Sequence, residues 1–284
     1  MVYRVGSLAS NFSCHWSSVK EMKKRWVILL FFAGLVLTYF AAKTFRGISV
    51  EAGAAEITTK HFLISYSGIF KDEAQSVADS LESNYNRVRT DLDDPHHEVI
   101  HVFIHPNQKD FNKGTGLLNS TANGTSRGPN EFHVIWTTWY NSVFPDDPIK
   151  TAIHEFTHCV QLNILIKQAQ KELTNEGDFD KAFEQKFLND YPQWFWEAIC
   201  DYEAGVVNSV SVKYGMSKGL TLKELNKSNQ IYNVGYTIIE FIVDRWDKGK
   251  LGELVVSYVD IEKVLSISET DFEKAWIDFV SEKY

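Results

Sequence analysis

Cysteine is scarce in this chain. Three cysteines in 284 residues, at positions 14, 159 and 200, are too few for a disulfide framework. A Cys159–Cys200 bridge is conceivable. The favoured reading of both is a small, buried, apolar side chain. A basic excess is also missing. The 29 Lys and Arg are outnumbered by 37 Asp and Glu, for a formal net charge of −8. A general nucleic-acid binder would need a basic footprint, so no nucleic-acid partner is expected. The chain carries no internal repeat, which excludes a solenoid or a propeller. What is present is ordinary globular material: 44% hydrophobic and 14% aromatic residues, enough for a real core.

One apolar run stands apart. Trp26 to Ala42 contains no charge over 17 residues. Lys20, Lys23, Lys24 and Arg25 precede it closely, whereas only Lys43 and Arg46 follow. The positive-inside bias places the N-terminus in the cytoplasm and the rest outside. Residues 22–46 therefore read as a transmembrane signal-anchor, giving a single-pass protein of the cell membrane. The alternative is secretion after signal cleavage, with Ala52-Gly53-Ala54 as the tidy small-x-small site. Residues 1–21 read as a short cytoplasmic tail or an over-long start, since Met22 could itself begin a targeting segment.

Beyond the anchor, residues 47–60 are small and polar and read as a linker. Phe62, Ile64 and Tyr66 alternate as in a strand. Ala74, Val77, Ala78, Leu81, Tyr85, Val88 and Leu92 share one face at helical spacing. The segment EVIHVFIHP reads as a strand apolar on both faces, hence central. Residues 112–130 are rich in Gly, Asn, Ser and Thr and read as a loop. EFHVIWTTW is a third strand. From Asp147 onward the patterns are almost all helical. The fold class is α+β: a small N-terminal mixed sheet with one helix (61–145), then a mainly helical part (146–284).

The segment IKTAIHEFTHCVQLNI contains His154-Glu155-Phe156-Thr157-His158. Ile149, Ala152, Ile153, Phe156 and Val160 form an apolar stripe at i, i+3, i+4 and i+7, so the segment is an amphipathic helix. Histidines four apart lie one turn above each other, and both rings can reach one ion. Glu155 is turned about 100° from His154. It flanks the ion, where it can take a proton from water that the metal activates. The bland alternative is a solvated helix face with two histidines. A zinc site needs a third protein ligand. The segment YPQWFWEAICDYEAG offers Glu197 for that role on a second helix, with Pro192 ahead of its first turn. Asp201, one turn later, would hold a ligand histidine through its other ring nitrogen. Glu172, Glu176 and Glu203 compete for the third position. The first two lie in a charged run that reads as a solvated helical insertion near 165–190.

HEFTH followed by W-x-x-E-A-x-x-D-Y resembles the gluzincin zinc metallopeptidases, most closely the bacterial peptidase-MA-like group. The usual text of that group is HE-[LF]-T-H, then P-x-W-[LF]-x-E-G-x-A-[ED]-Y. The resemblance spans roughly residues 60–284. It implies a zincin-like fold and one Zn²⁺ per chain on His154, His158 and Glu197. It also implies Glu155 as general base and a peptide or protein as substrate. Ala198 departs from the usual glycine, and the interval from His158 to Glu197 is long, as the insertion explains. In related peptidases a Tyr or His stabilises the oxyanion. Tyr232 is the first choice here and Tyr236, four residues on, the second. By the same resemblance the strand at 131–136 would be the sheet edge that pairs with an extended substrate, through His133, Val134 and Ile135.

The leading expectation is thus a membrane-anchored, extracytoplasmic zinc peptidase. The alternative from another class is a catalytically silent, membrane-tethered zinc- or peptide-binding module of the same fold. A third reading is a zinc hydrolase of non-peptide amides or esters.

Overall fold

The computed structural model describes residues 55–69, 71–95, 98–136, 147–173 and 178–284. The expected anchor and cytoplasmic tail lie outside these residues. Among the described residues no helix is long and apolar enough to cross a membrane.

The architecture is α+β, with a small mixed sheet followed by a mostly helical part. Five strands lie in the order β1-β2-β3-β5-β4. They are β1 (Ala55–Thr58), β2 (Phe62–Tyr66), β3 (Ile100–His105), β4 (Gly124–Ser126) and β5 (Glu131–Ile135). β2, β3 and β5 run parallel, in registers such as Ile64↔Val102 and Val102↔Phe132. β1 and β4 add antiparallel strands at the two edges. Helix α1 (Lys71–Asp91) joins β2 to β3, as a parallel connection requires. All seven residues of its predicted apolar face are buried, Leu92 just past its end.

One face of the sheet carries Phe62, Ile64, Val102, Ile104, Phe132 and Val134 into the core. α1 and the long α3 (Pro148–Glu172) cover that face. Phe156, inside the motif, packs edge-on against Phe62 at 5.3 Å and stacks on Tyr85 at 5.8 Å. That aromatic trio fixes the motif helix to both β2 and α1. The other face carries Phe103, His105 and His133, and the short α2 (Gln108–Thr115) lies over it through Phe111.

Helices α4 (Phe179–Asp190), α5 (Gln193–Glu203), α6 (Ser209–Met216), α7 (Leu222–Leu225), α8 (Ile231–Arg245), α9 (Gly249–Val256), α10 (Ile261–Leu265) and α11 (Glu269–Lys283) complete the chain. The solvated insertion expected near 165–190 is in part the end of α3, where Leu165 and Ala169 are buried, and in part α4, which buries none of its residues. α5 lies between α3 and α8. Its contact with α8 is close because Gly235 faces Ala198: a Cβ on Gly235 would stand 3.1 Å from the Ala198 Cα.

Two expectations are corrected here. The linker assigned to 47–60 contains β1, whose only buried residue is Ile57, too little alternation to be read as a strand. The loop assigned to 112–130 contains all of β4 and the end of α2, a second helix where one was expected in 61–145. β4 has three residues, Gly-Thr-Ser, and owes its strand conformation to pairing with β5 rather than to its own propensity.

Candidate metal centre

α3 starts cleanly. Asp147 caps it, its Oδ1 accepting from the backbone N–H groups of Ile149 and Lys150, and Pro148 occupies the first turn. Ala152, Ile153, Phe156 and Val160 are buried as the stripe requires. The next side of the helix then carries His154 and His158 toward α5. α5 opens after Pro192, and its inner face presents Glu197, Cys200 and Asp201, all buried.

These side chains converge. Glu197 Oε2 lies 3.4 Å from His154 Nε2 and 3.8 Å from His158 Nε2. His154 Nδ1 lies 3.1 Å from Asp201 Oδ1. His158 Nδ1 lies 3.1 Å from Cys200 Sγ. The His158 ring also stacks on Trp196, with centroids 4.1 Å apart. His154, His158 and Cys200 form a group able to hold a metal ion, their donor atoms all within 4.8 Å of one another. The two histidines are therefore shared by two third donors, the Cys200 sulfur and the Glu197 carboxylate. Ring geometry separates them. Glu197 meets the Nε2 edge of both rings, whereas Cys200 meets His158 at Nδ1, and the Nδ1 of His154 is already taken by Asp201.

The electrostatics call for a cation. Asp201, Glu197 and Glu155 are gathered in a buried space, and among the described residues Glu155 Oε2 has no hydrogen-bond partner. Burial alone would push the His154 imidazole down. The carboxylates of Asp201 and Glu197, with Glu155, instead hold it up at about 10. Burial pushes Glu155 up to about 7, with Glu197 adding to the rise and His154 and the Ser126 N–H opposing it. Burial and the His154 charge keep His158 well below its ordinary value. Burial, with the nearby carboxylates, raises the Cys200 thiol well above its ordinary value. Two imidazoles with a carboxylate or a thiolate are donor sets that suit a transition-metal ion. A tetrahedral ion with bonds of about 2.0–2.1 Å sets its ligand atoms roughly 3.3 Å apart; Glu197 Oε2 meets that spacing to His154 and stands wider, at 3.8 Å, from His158.

Glu155 lies against the edge strand. A Cβ on Gly124 would stand 2.5 Å from Glu155 Oε1. The backbone N–H of Ser126 donates to the same carboxylate. Tyr232, in the first turn of α8, hydrogen-bonds Glu197, and burial together with Glu197 and Asp201 pushes its phenol up. Its side chain is half exposed, so it stands at the mouth of the group.

Two sequence expectations change. Tyr236 does not join the group. Its ring rests on Tyr202, and its charged neighbours are Glu240, Lys283 and Lys248. One helical turn carries it past Glu197 to the next layer of side chains. β5 is not a sheet edge, because β4 pairs with it on the outside. His133, Val134 and Ile135 are accordingly buried. His133 is enclosed by His105 at 3.0 Å and Glu131 at 3.1 Å. Among the described residues the sheet edge beside Glu155 belongs to β4.

Of the competing acids, Glu172 pairs with Lys186 and Glu203 with Arg87. Glu176 lies outside the described residues. Cys159 and Cys200 are both free and buried, as the favoured reading had it. The sequence reading missed the Ser126 N–H and the contact of Cys200 with His158. The second was within reach: Cys200 follows Glu197 by three residues and so shares its side of α5. No protein-family model and no curated protein matches the chain, so the site stands on its own geometry.

Proposed function

We propose that this chain is a zinc-dependent peptidase of the gluzincin type, with His154, His158 and Glu197 as metal ligands and Glu155 as general base. The observation that carries the reading is the convergence of both Nε2 atoms on Glu197 Oε2, with a partly unpartnered, buried Glu155 alongside. A zinc ion held there would acidify water and polarise a substrate carbonyl. Asp201 orients His154 by accepting its Nδ1 proton, which leaves Nε2 free as a donor. Glu155, with a proton affinity poised near neutrality, takes the proton of the attacking water and passes it to the leaving amine. Ser126 N–H anchors one side of the carboxylate, so Oε2 is the atom available for that transfer. Tyr232 stands where its hydroxyl can donate to the oxyanion that develops on the former carbonyl. An extended substrate pairs with the outer edge of β4 and passes beside Glu155. The apolar run at 26–42 and its basic flank support a membrane-anchored enzyme acting outside the cytoplasm.

The test is metal content of the full-length chain by mass spectrometry, beside His154→Ala and Glu197→Ala. The expected result is one zinc per chain, lost or much reduced in both variants. Hydrolysis of fluorescently labelled casein should then vanish in Glu155→Gln while zinc is retained. A wild-type chain that takes up no supplied zinc refutes the proposal. Zinc undiminished in Glu197→Ala refutes the ligand set.

A further inference from the structure

One buried thiol at the histidine pair has no part in the reading above. Cys200 lies on α5 between Glu197 and Asp201 and is fully buried. Its Sγ lies 3.1 Å from His158 Nδ1, 3.1 Å from Gln161 Nε2 and 3.3 Å from the Trp196 carbonyl oxygen. Gln161 is itself held: Tyr191 donates to its Oε1 at 2.8 Å, and its Nε2 also donates to the Trp196 carbonyl at 3.1 Å, closer than the 3.4 Å that separates Nε2 from His158 Nδ1. The amide can therefore only donate to the sulfur, and the Trp196 carbonyl can only accept from it. With Nε2 of His158 committed to a metal, the ring proton resides on Nδ1. Every group then has a partner. The sulfur accepts from Nδ1–H and from Gln161, and the S–H turns to the Trp196 carbonyl. Trp196 closes the arrangement by stacking on the ring.

We propose that Cys200 is a positioning residue for His158: its sulfur accepts the Nδ1 proton, orients the ring and reserves Nε2 for the metal, without itself binding the ion. This rests on the two-histidine, one-glutamate reading above. The geometry argues against Cys200 as a ligand. The sulfur stands at the Nδ1 edge of His158, and Glu197 at its Nε2 edge. One ion cannot take both edges of one ring. Donor atoms of His154, His158 and Cys200 lie within 4.8 Å of one another, but an ion at the Nδ1 edge could take His154 only by displacing Asp201 from its Nδ1 or Glu197 from its Nε2. The two ligand rings are thus backed unequally, His154 by a carboxylate and His158 by a thiol.

The experiment uses the full-length chain, metal-stripped and reloaded. Cobalt(II) is the spectroscopic probe, and zinc affinity is measured by competition with a chromogenic chelator. The expected wild-type cobalt spectrum has ligand-field bands but no sulfur-to-cobalt charge-transfer band. Cys200→Ala should weaken zinc binding about 10–100-fold, the usual cost of removing a partner behind a ligand. Cys200→Ser, which keeps a group able to accept from Nδ1–H, should recover part of that loss. A charge-transfer band in the wild type that disappears in Cys200→Ala makes the cysteine a ligand and overturns this inference alone. Zinc affinity unchanged in Cys200→Ala also overturns it, because the thiol is then mere packing. A wild-type chain that binds neither cobalt nor zinc overturns this inference and the peptidase reading together. The wild-type spectrum needs no variant to fold.

Discussion

Gly124→Ala is the smallest change that separates the base from the metal ligands. The added methyl would sit 2.5 Å from Glu155 Oε1, 2.7 Å from its Cγ and 2.9 Å from its Cδ. Ordinary contacts between carbon atoms lie at about 3.5–4.0 Å, so relief requires a displacement of roughly 1 Å. β4 is hydrogen-bonded to β5 along its length and has little room to retreat. The carboxylate is the mobile partner, and it must leave both its place and the Ser126 N–H. A misplacement of about 1 Å at a reacting group costs on the order of 100-fold in rate. Overpacking of this kind costs about 1–3 kcal/mol of stability, so most of the chain should remain folded. The assay is casein hydrolysis with zinc content measured on the same preparation. The expected result is a rate about 100-fold lower with zinc still near one per chain. Full activity would mean that Glu155 does not rest on β4 as described. Loss of zinc in step with activity would mean that the strand supports the ligands rather than the base.

The remaining predictions concern stability and the oxyanion. Burial and the adjacent His133 bring His105 down to about 4, against about 6.5 in the unfolded chain. Between those values the unfolded state binds the extra proton, so stability is complete above pH 6.5 and falls as pH drops toward 4. The upper bound is about 3 kcal/mol, and solvent at the partly exposed ring reduces it. In chelator, to silence the metal site, urea midpoints at pH 7.5 and 5 should differ less in His105→Phe than in wild type; an equal difference would remove His105 as the cause. Gly235→Ala drives a methyl to 3.1 Å from the Ala198 Cα and should cost about 1–3 kcal/mol by thermal unfolding. Ala198→Gly should recover part of this, and strict additivity in the double variant would show that the two positions do not meet. Tyr232→Phe should lower kcat about 100-fold with KM and zinc little changed; a change in KM alone would make it a binding residue.

Most of the helical scaffold of the site was legible because helices announce themselves by local spacing. His154 and His158 are four apart, and Glu197 and Asp201 are four apart, so each pair shares a helix side before any tertiary contact is known. The apolar stripe around HEFTH and the Pro192 start of α5 fixed which sides those are. Tyr232 and Tyr236 show the limit of that argument. Helical spacing puts both on one side of α8, yet one turn of rise separates Glu197 from Glu240 as the nearest carboxylate. Spacing gives direction around a helix. Only packing against α5 decides which turn meets the site.

The sheet edge was illegible for a different reason. Gly124–Ser126 has no hydrophobic alternation, because a three-residue edge strand buries no side of its own. EFHVI is expected to be the edge by the resemblance to gluzincins, in which the strand before the motif helix holds that place. In space the polar segment before it folds back outside it. His133 then becomes interior, and the strand that borders Glu155 is the one composed of Gly, Thr and Ser. The composition that concealed β4 is also what brings it to the base. A side chain at position 124 would occupy the volume of the Glu155 carboxylate, so only a residue without one lets the strand approach it. The signal of a strand was absent there because the site needs that space.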